Sequence, residues 1–138
     1  MIRVLLVDDH TLVRSAVAAV LNAAEGIEVV GECSDGAQVT SVARTVQPDL
    51  VLMDVRMPIT SGIDATRHLV AELPDVRVVM LTASGTRRNM EAAAESGAVG
   101  FLAKGGSPHQ LVDAVRAVAA GGTAWPCDMP TATLIECH

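Results

Sequence analysis

The sequence predicts a doubly wound α/β fold, one parallel sheet with helices on both faces. Short apolar runs alternate with segments of helical spacing, five of each along the chain. The runs are close to continuously apolar, as expected for strands buried on both faces, and lack the in-out alternation of a half-solvated sheet. The length, 138 residues, suits one domain with one sizeable core.

The strands expected are Ile2–Val7, Ile27–Glu32, Leu50–Met53, Val76–Leu81 and Val99–Ala103. A signal peptide needs a longer apolar region and a small-residue cleavage site, so the first run reads as a strand. The first helix carries Leu12, Val13, Ala16, Val17 and Val20 on one face, the second Val39, Val42, Ala43 and Val46, and the third Thr66, Leu69, Val70 and Leu73. Pro48 and Pro74 close the second and third helices. A fourth helix, near Arg87–Ser96, has a thin, Ala-rich apolar stripe. The last opens on Ser107 as N-cap, with Pro108 at its first position and Gln110 completing a capping box. Its apolar face is Leu111, Ala114, Val115 and Val118, and Gly121-Gly122 stops it. Beyond Gly122 no period is visible, and residues 122–138 read as a tail or the start of a linker; Thr131 to Ile135 reads as a short strand or a helical turn.

Composition narrows the function. Half of the residues are hydrophobic and 19% are charged, a globular balance. Phe101 and Trp125 are the only aromatics, so Ala, Val and Leu must fill the core. A net charge of −6 argues against nucleic-acid binding by this chain alone, because phosphate backbones need a basic face. Cys33, Cys127 and Cys137 are odd in number and irregularly spaced, which fits a reducing, cytoplasmic setting better than a disulfide framework. No run of about 18 apolar residues suggests a membrane span.

In a doubly wound sheet, ligands bind outside the carboxyl ends of the strands. Asp8 and Asp9 follow the first strand, Asp54 the third, Thr82 the fourth and Lys104 the fifth. Carboxylates that converge need a cation, and hard oxygen donors in an open, wet site favour Mg²⁺. Lys104 adds a point charge suited to a phosphoryl oxygen, and Thr82 offers a hydroxyl. An aspartate beside a metal can attack phosphorus and form an acyl phosphate.

The segments LLVDDH, PDLVLMDVRMPITSG, VVMLTAS and GAVGFLAKGG, in this order and at strand ends, resemble the receiver domain of two-component response regulators. The resemblance covers roughly residues 2–121. It implies a flavodoxin-like (βα)5 sheet in strand order 2-1-3-4-5, with a receiver over 1–121 and no output domain in 122–138. It also implies that Asp54 accepts a phosphoryl group from a sensor histidine kinase. Asp9 would ligate Mg²⁺ directly with Asp8 assisting, and the backbone carbonyl of Arg56 would complete the protein ligands. Thr82 and Lys104 would hold phosphoryl oxygens, Met57-Pro58 and Gly62 match the loop after the acceptor, and Phe101 sits where the family places an aromatic switch. Kinase specificity would lie near Thr11–Val20 and in the loop after the fifth strand. Many receivers have proline after the active-site lysine; Gly105 stands there, so no cis proline is expected. That departure resembles the NarL-type subfamily, whose members usually carry a C-terminal helix-turn-helix output domain for transcription regulation. This chain is then either part of such a protein or a stand-alone receiver, with a homodimer as a possible assembly.

Plainer readings compete at each residue. One of Asp8 and Asp9 is expected to help cap the first helix, though a cap does not need two. Asp54, taken alone, is equally a turn residue. Lys104 alone would be solvated, Thr82 could be an ordinary strand-end residue, and Phe101 is partly core in any case. His10 reads as a first-turn residue with a partly exposed ring, and His68 and His109 as surface residues. Cys127, Cys137 and His138 lack the paired spacing of a metal site. Among rival functions, an aspartyl phosphohydrolase of the haloacid dehalogenase type needs a second aspartate where Arg56 stands. A flavodoxin needs a phosphate loop where DDHTL would repel phosphate. A non-phosphorylated interaction module would have no use for the acceptor set.

Overall fold

The apolar runs pair into one parallel sheet. In the computed structural model, which describes residues 1–55, 57, 60–83, 86–104 and 106–125, the strands are β1 (Ile2–Val7), β2 (Ile27–Cys33), β3 (Leu50–Asp54), β4 (Arg77–Thr82) and β5 (Gly100–Ala103). They lie in the order β2-β1-β3-β4-β5, as the resemblance implies. The helices are α1 (Thr11–Ala23), α2 (Val39–Val46), α3 (Gly62–Glu72), α4 (Arg87–Ser96) and α5 (Pro108–Ala119). No helix among the described residues is long and apolar enough to cross a membrane.

Successive strand side chains point to opposite faces, so each buried strand feeds two cores. Val4, Leu6, Leu50, Leu52, Val79 and Leu81 pack with Leu21 of α1 and Val115 and Val118 of α5. Leu5, Val7, Val51, Met53, Val78 and Met80 pack with residues of α2, α3 and α4, among them Ala43, Leu69, Met90 and Ala93. Phe101 belongs to this second layer and is 2% exposed.

The second and third helices bury the faces their spacing predicts. Ala43 and Val39 are buried in α2, and Thr66 and Leu69 in α3. The predicted box on α5 forms: Gln110 N–H donates to Ser107 Oγ at 3.1 Å, and Ser107 N–H to Gln110 Oε1 at 3.3 Å. α1 departs from expectation. Leu12 is 87% exposed and Ala16 is exposed, while Leu21 is the buried residue, flanked by Val17 and Ala18. This helix has more apolar residues than one contact stripe needs, so the face touching the sheet is chosen by packing. The surplus lines a cleft of about 340 Å³ between α1 and α5, with Val13, Ala16 and Val20 on one side and Leu102, Pro108 and Leu111 on the other.

Two further features carried no periodic signal. The register of β1 on β2 shifts between Val4 and Leu5, which face Val29 and Gly31, so Val30 forms a bulge. After α5 the chain turns at Gly121, whose φ of +100° suits glycine, and returns along the open edge of β5. Phe101 N–H donates to the Ala124 carbonyl at 2.9 Å and Ala124 N–H to the Val99 carbonyl at 3.1 Å. Trp125 then packs against the α2–α4 layer. One rung leaves no period to read; it exists because the β5 edge offers unpaired backbone groups. Residues 126–138, with Cys127, Cys137, His138 and the Thr131–Ile135 segment, lie outside the described residues, as does Gly105.

Candidate functional site

Parallel register brings the strand ends together. Val7 faces Met53, Asp54 faces Leu81 and Thr82 faces Ala103. Asp8 therefore emerges beside Asp54, Thr82 one residue beyond Asp54's partner, and Lys104 one residue beyond Ala103. Backbone bonds fix these exits: Asp8 N–H donates to the Cys33 carbonyl at 3.0 Å, Val55 N–H to Leu81 at 3.1 Å and Lys104 N–H to Thr82 at 2.7 Å.

Lys104 ties the acidic residues into one cluster. Its Nζ lies 2.9 Å from Asp8 Oδ2 and 3.0 Å from Asp54 Oδ2, with the side chain only 12% exposed. Asp8 uses its other oxygen as well: His10 N–H donates to Asp8 Oδ1 at 2.8 Å. Asp9 is less enclosed, and its Oδ1 lies 3.2 Å from His10 Nδ1. One ligand atom each from Asp8, Asp9, His10 and Asp54 falls within 4.8 Å of the others. Asp8, Asp54 and Thr82 are buried. Arg56 and Pro58, the expected carbonyl ligand and loop proline, lie outside the described residues. Met57 is half-buried and packs against the α2–α4 layer.

Electrostatics follow from this packing. Burial pushes the Asp8 carboxyl up, but the hydrogen bonds from Lys104 and His10 and the ammonium's charge outweigh it and hold Asp8 below its usual range. Burial pushes Lys104 down, and the pairs with Asp8 and Asp54 more than reverse this, so it stays an ammonium ion above its ordinary range. Burial, against the opposing charge of Arg14 and with that of Asp35, pushes the Cys33 thiol up to about 11. A raised lysine stabilises fully below its ordinary value of 10.5, and that contribution is lost as pH climbs through the higher folded value. A lowered carboxyl stabilises above its ordinary 3.8 and is lost as pH falls through the lower folded value. In metal-free buffer the Lys104→Met variant should therefore melt below the parent at neutral pH, with the gap narrowing as pH falls below 3.8 and as it rises beyond 10.5. A gap in thermal midpoint that stays constant from pH 3 to 11 would contradict this pairing.

Two placements were not foreseen. Arg14 donates from Nε to Glu32 Oε1 at 2.8 Å and from a guanidinium nitrogen to the Asp8 carbonyl, clamping the end of β1. A basic residue one turn into the helix after the acidic pair was its only signal. His10 is the N-cap residue of α1, and no side chain caps that helix by hydrogen bond, so the expected capping by Asp8 or Asp9 is replaced by Asp8 binding His10 N–H. Phe101, expected to be partly core, is fully so at 2% exposure.

The response regulator receiver domain family matches residues 4–116. The chain belongs to this family. The receiver is 42% identical over 120 residues to the transcriptional regulatory protein YxjL of Bacillus subtilis, covering 87% of this chain and 55% of that protein. It is 41% identical over 121 residues to the response regulator GacA of Pseudomonas aeruginosa, covering 88% and 56%. The receiver thus spans little more than half the length of these relatives. Among solved structures it superposes on a LuxR-family two-component response regulator from an Aurantimonas species with a TM-score of 0.85 at 31% identity, covering 97% of this chain and 92% of that one. The receiver domain of NarL from Mycobacterium tuberculosis gives 0.83 at 32%, covering 87% and 97%. The relatives of this receiver are thus response regulators of the NarL and LuxR type, and its fold is the flavodoxin-like one predicted.

Proposed function

We propose that this receiver takes a phosphoryl group onto Asp54 from a sensor histidine kinase, in a Mg²⁺-dependent reaction that catalyses nothing beyond its own phosphorylation and dephosphorylation. The observation that carries this is the bridge from Lys104 to Asp8 and Asp54. It joins a largely buried ammonium to two buried carboxylates, the charge arrangement such a transfer needs. The donor set fits magnesium, which prefers oxygen ligands and keeps several waters. As the resemblance implies, Asp9 and Asp54 are the direct carboxylate ligands, with Asp8 assisting and the Arg56 carbonyl as a third. When bound, magnesium offsets the negative charge of the carboxylates and the incoming phosphoryl oxygens.

Asp54 attacks phosphorus with one carboxylate oxygen. The new P–O bond replaces the P–N bond to the kinase histidine, and the imidazole leaves with the bonding electrons and is reprotonated. Lys104 Nζ then turns from the Asp54 oxygen to a phosphoryl oxygen, and the Thr82 hydroxyl donates to another. Thr82 and Phe101 form the switch, through the α4–β5 side of the α2–α4 layer, where α4 buries only Met90, Ala93 and Ser96. The apolar cleft between α1 and α5, with exposed Leu12 on α1, supports kinase contact at that face. Residues 1–121 constitute the receiver and 122–138 a tail or the start of a linker, held to β5 through Ala124. A cytoplasmic setting follows from the kinase as partner. In a longer parent protein of the NarL type, DNA contact and transcription control belong to residues outside this acidic unit, and a homodimer is a suitable output state.

Acetyl phosphate with Mg²⁺ should add one phosphoryl group to the intact chain, seen by mass spectrometry, and chelation should prevent it. No mass gain at saturating donor and Mg²⁺ would favour a non-phosphorylated interaction module.

A further inference from the structure

His10 read as an ordinary first-turn residue, yet its ring nitrogen stands among the carboxylates. Nδ1 lies 3.2 Å from Asp8 Oδ1, 3.2 Å from Asp9 Oδ1 and 3.9 Å from Asp54 Oδ2. The local backbone causes this. His10 donates its N–H to Asp8 Oδ1, an Asx-type turn that folds the residue back over the pair, and its extended φ and ψ of −90° and 102° precede the helix. Around an octahedral ion with bonds of about 2.1 Å, adjacent donors stand about 3.0 Å apart and opposite donors about 4.2 Å apart. All three separations lie between those limits. The four donor atoms lie within 4.8 Å of one another, so the ring nitrogen can join Asp9 and Asp54 on one ion, with Asp8 beside it, after small side-chain movements for which a side chain 63% exposed has room.

We propose that His10 is a third direct side-chain donor of the cation seat, beside Asp9 and Asp54, and sets its preference, giving first-row transition ions such as Ni²⁺, Co²⁺ and Zn²⁺ an advantage that Mg²⁺ does not share. This rests on the reading of Asp8, Asp9 and Asp54 as that seat. Imidazole suits these borderline ions, while Mg²⁺ demands hard oxygen and gives up water reluctantly, so the nitrogen strengthens one class and adds nothing to the other. Ligation uses the tautomer with Nδ1 unprotonated and the Nε2 proton turned to solvent.

The test is calorimetric titration of the full chain with Ni²⁺ and with Mg²⁺. The background carries Cys127→Ser, Cys137→Ser and His138→Gln, which removes the tail's own donors. In that background His10→Phe and His10→Gln should each weaken Ni²⁺ roughly tenfold or more and change Mg²⁺ less than about twofold. Zn²⁺ should shift the ¹⁵N resonance of His10 Nδ1 much more than that of Nε2. Equal small changes for both ions, or tighter Mg²⁺ binding once the ring is gone, would overturn the proposal by showing that His10 only pairs with the carboxylates or competes for the seat. Asp9→Ala separates the two readings. Loss of both ions supports the seat and leaves the His10 comparison decisive, and retention of both removes the seat and the proposal with it.

Discussion

Asp54→Asn is expected to accept no phosphoryl group from acetyl phosphate and Mg²⁺ under conditions that label the parent chain to one group per molecule. The substitution keeps the shape of the side chain and removes the anionic oxygen that must attack phosphorus. Intact mass is the measurement, and an undiminished gain in the variant would remove Asp54 from the acceptor role. Folding should not explain the loss. Asp54 shares Lys104 with Asp8, which keeps its own 2.9 Å pair, and one negative charge leaves a crowded acidic cluster. The metal-free variant should therefore unfold at a denaturant concentration no lower than the parent.

Gly62→Ala should have the largest effect on stability of any single methyl group added near the site. Gly62 is the first residue of α3, and a Cβ there would overlap the backbone carbonyl of Asp54, with Val55 Cα only 3.0 Å away. Neither side can yield cheaply. Gly62 N–H donates to the Val55 carbonyl at 2.9 Å, and Val55 N–H donates to Leu81 at 3.1 Å, so the end of β3 is held from both directions. Overpacking against backbone of this kind costs about 3 kcal/mol. Urea unfolding should show that loss, and phosphorylation of the remaining folded protein should slow because the acceptor is displaced. A variant within about 0.5 kcal/mol of the parent would show that α3 can slide away from β3. Gly62 thus couples the fold to the chemistry: helix α3 approaches β3 this closely only where no side chain intervenes.

Much of this molecule is written in local pattern. Strands buried on both faces are close to continuously apolar, which is why β1 could be bounded at Ile2 and Val7 from residue types, with only exposed Arg3 breaking the run. Capping is equally local, since Ser107 and Gln110 bond across a single turn. The strand-end position of Asp8, Asp54, Thr82 and Lys104 was legible because parallel strands all deliver their carboxyl ends to one side. Tertiary structure decided what depends on competition between surfaces or on contacts between distant segments. Which face of α1 meets the sheet could not be read, because Val13 and Val20 are as apolar as Val17 and Leu21 and only packing separates them. The rung between Ala124 and β5 joins residues with no common period. Arg14 reaches the Asp8 carbonyl, and His10 Nδ1 reaches three carboxylates, through side-chain directions that spacing does not contain. Periodicity records how a segment meets the core, whereas the charge balance of the site is set by a few ångströms between side chains of separate segments, and that distance exists only once the sheet has assembled.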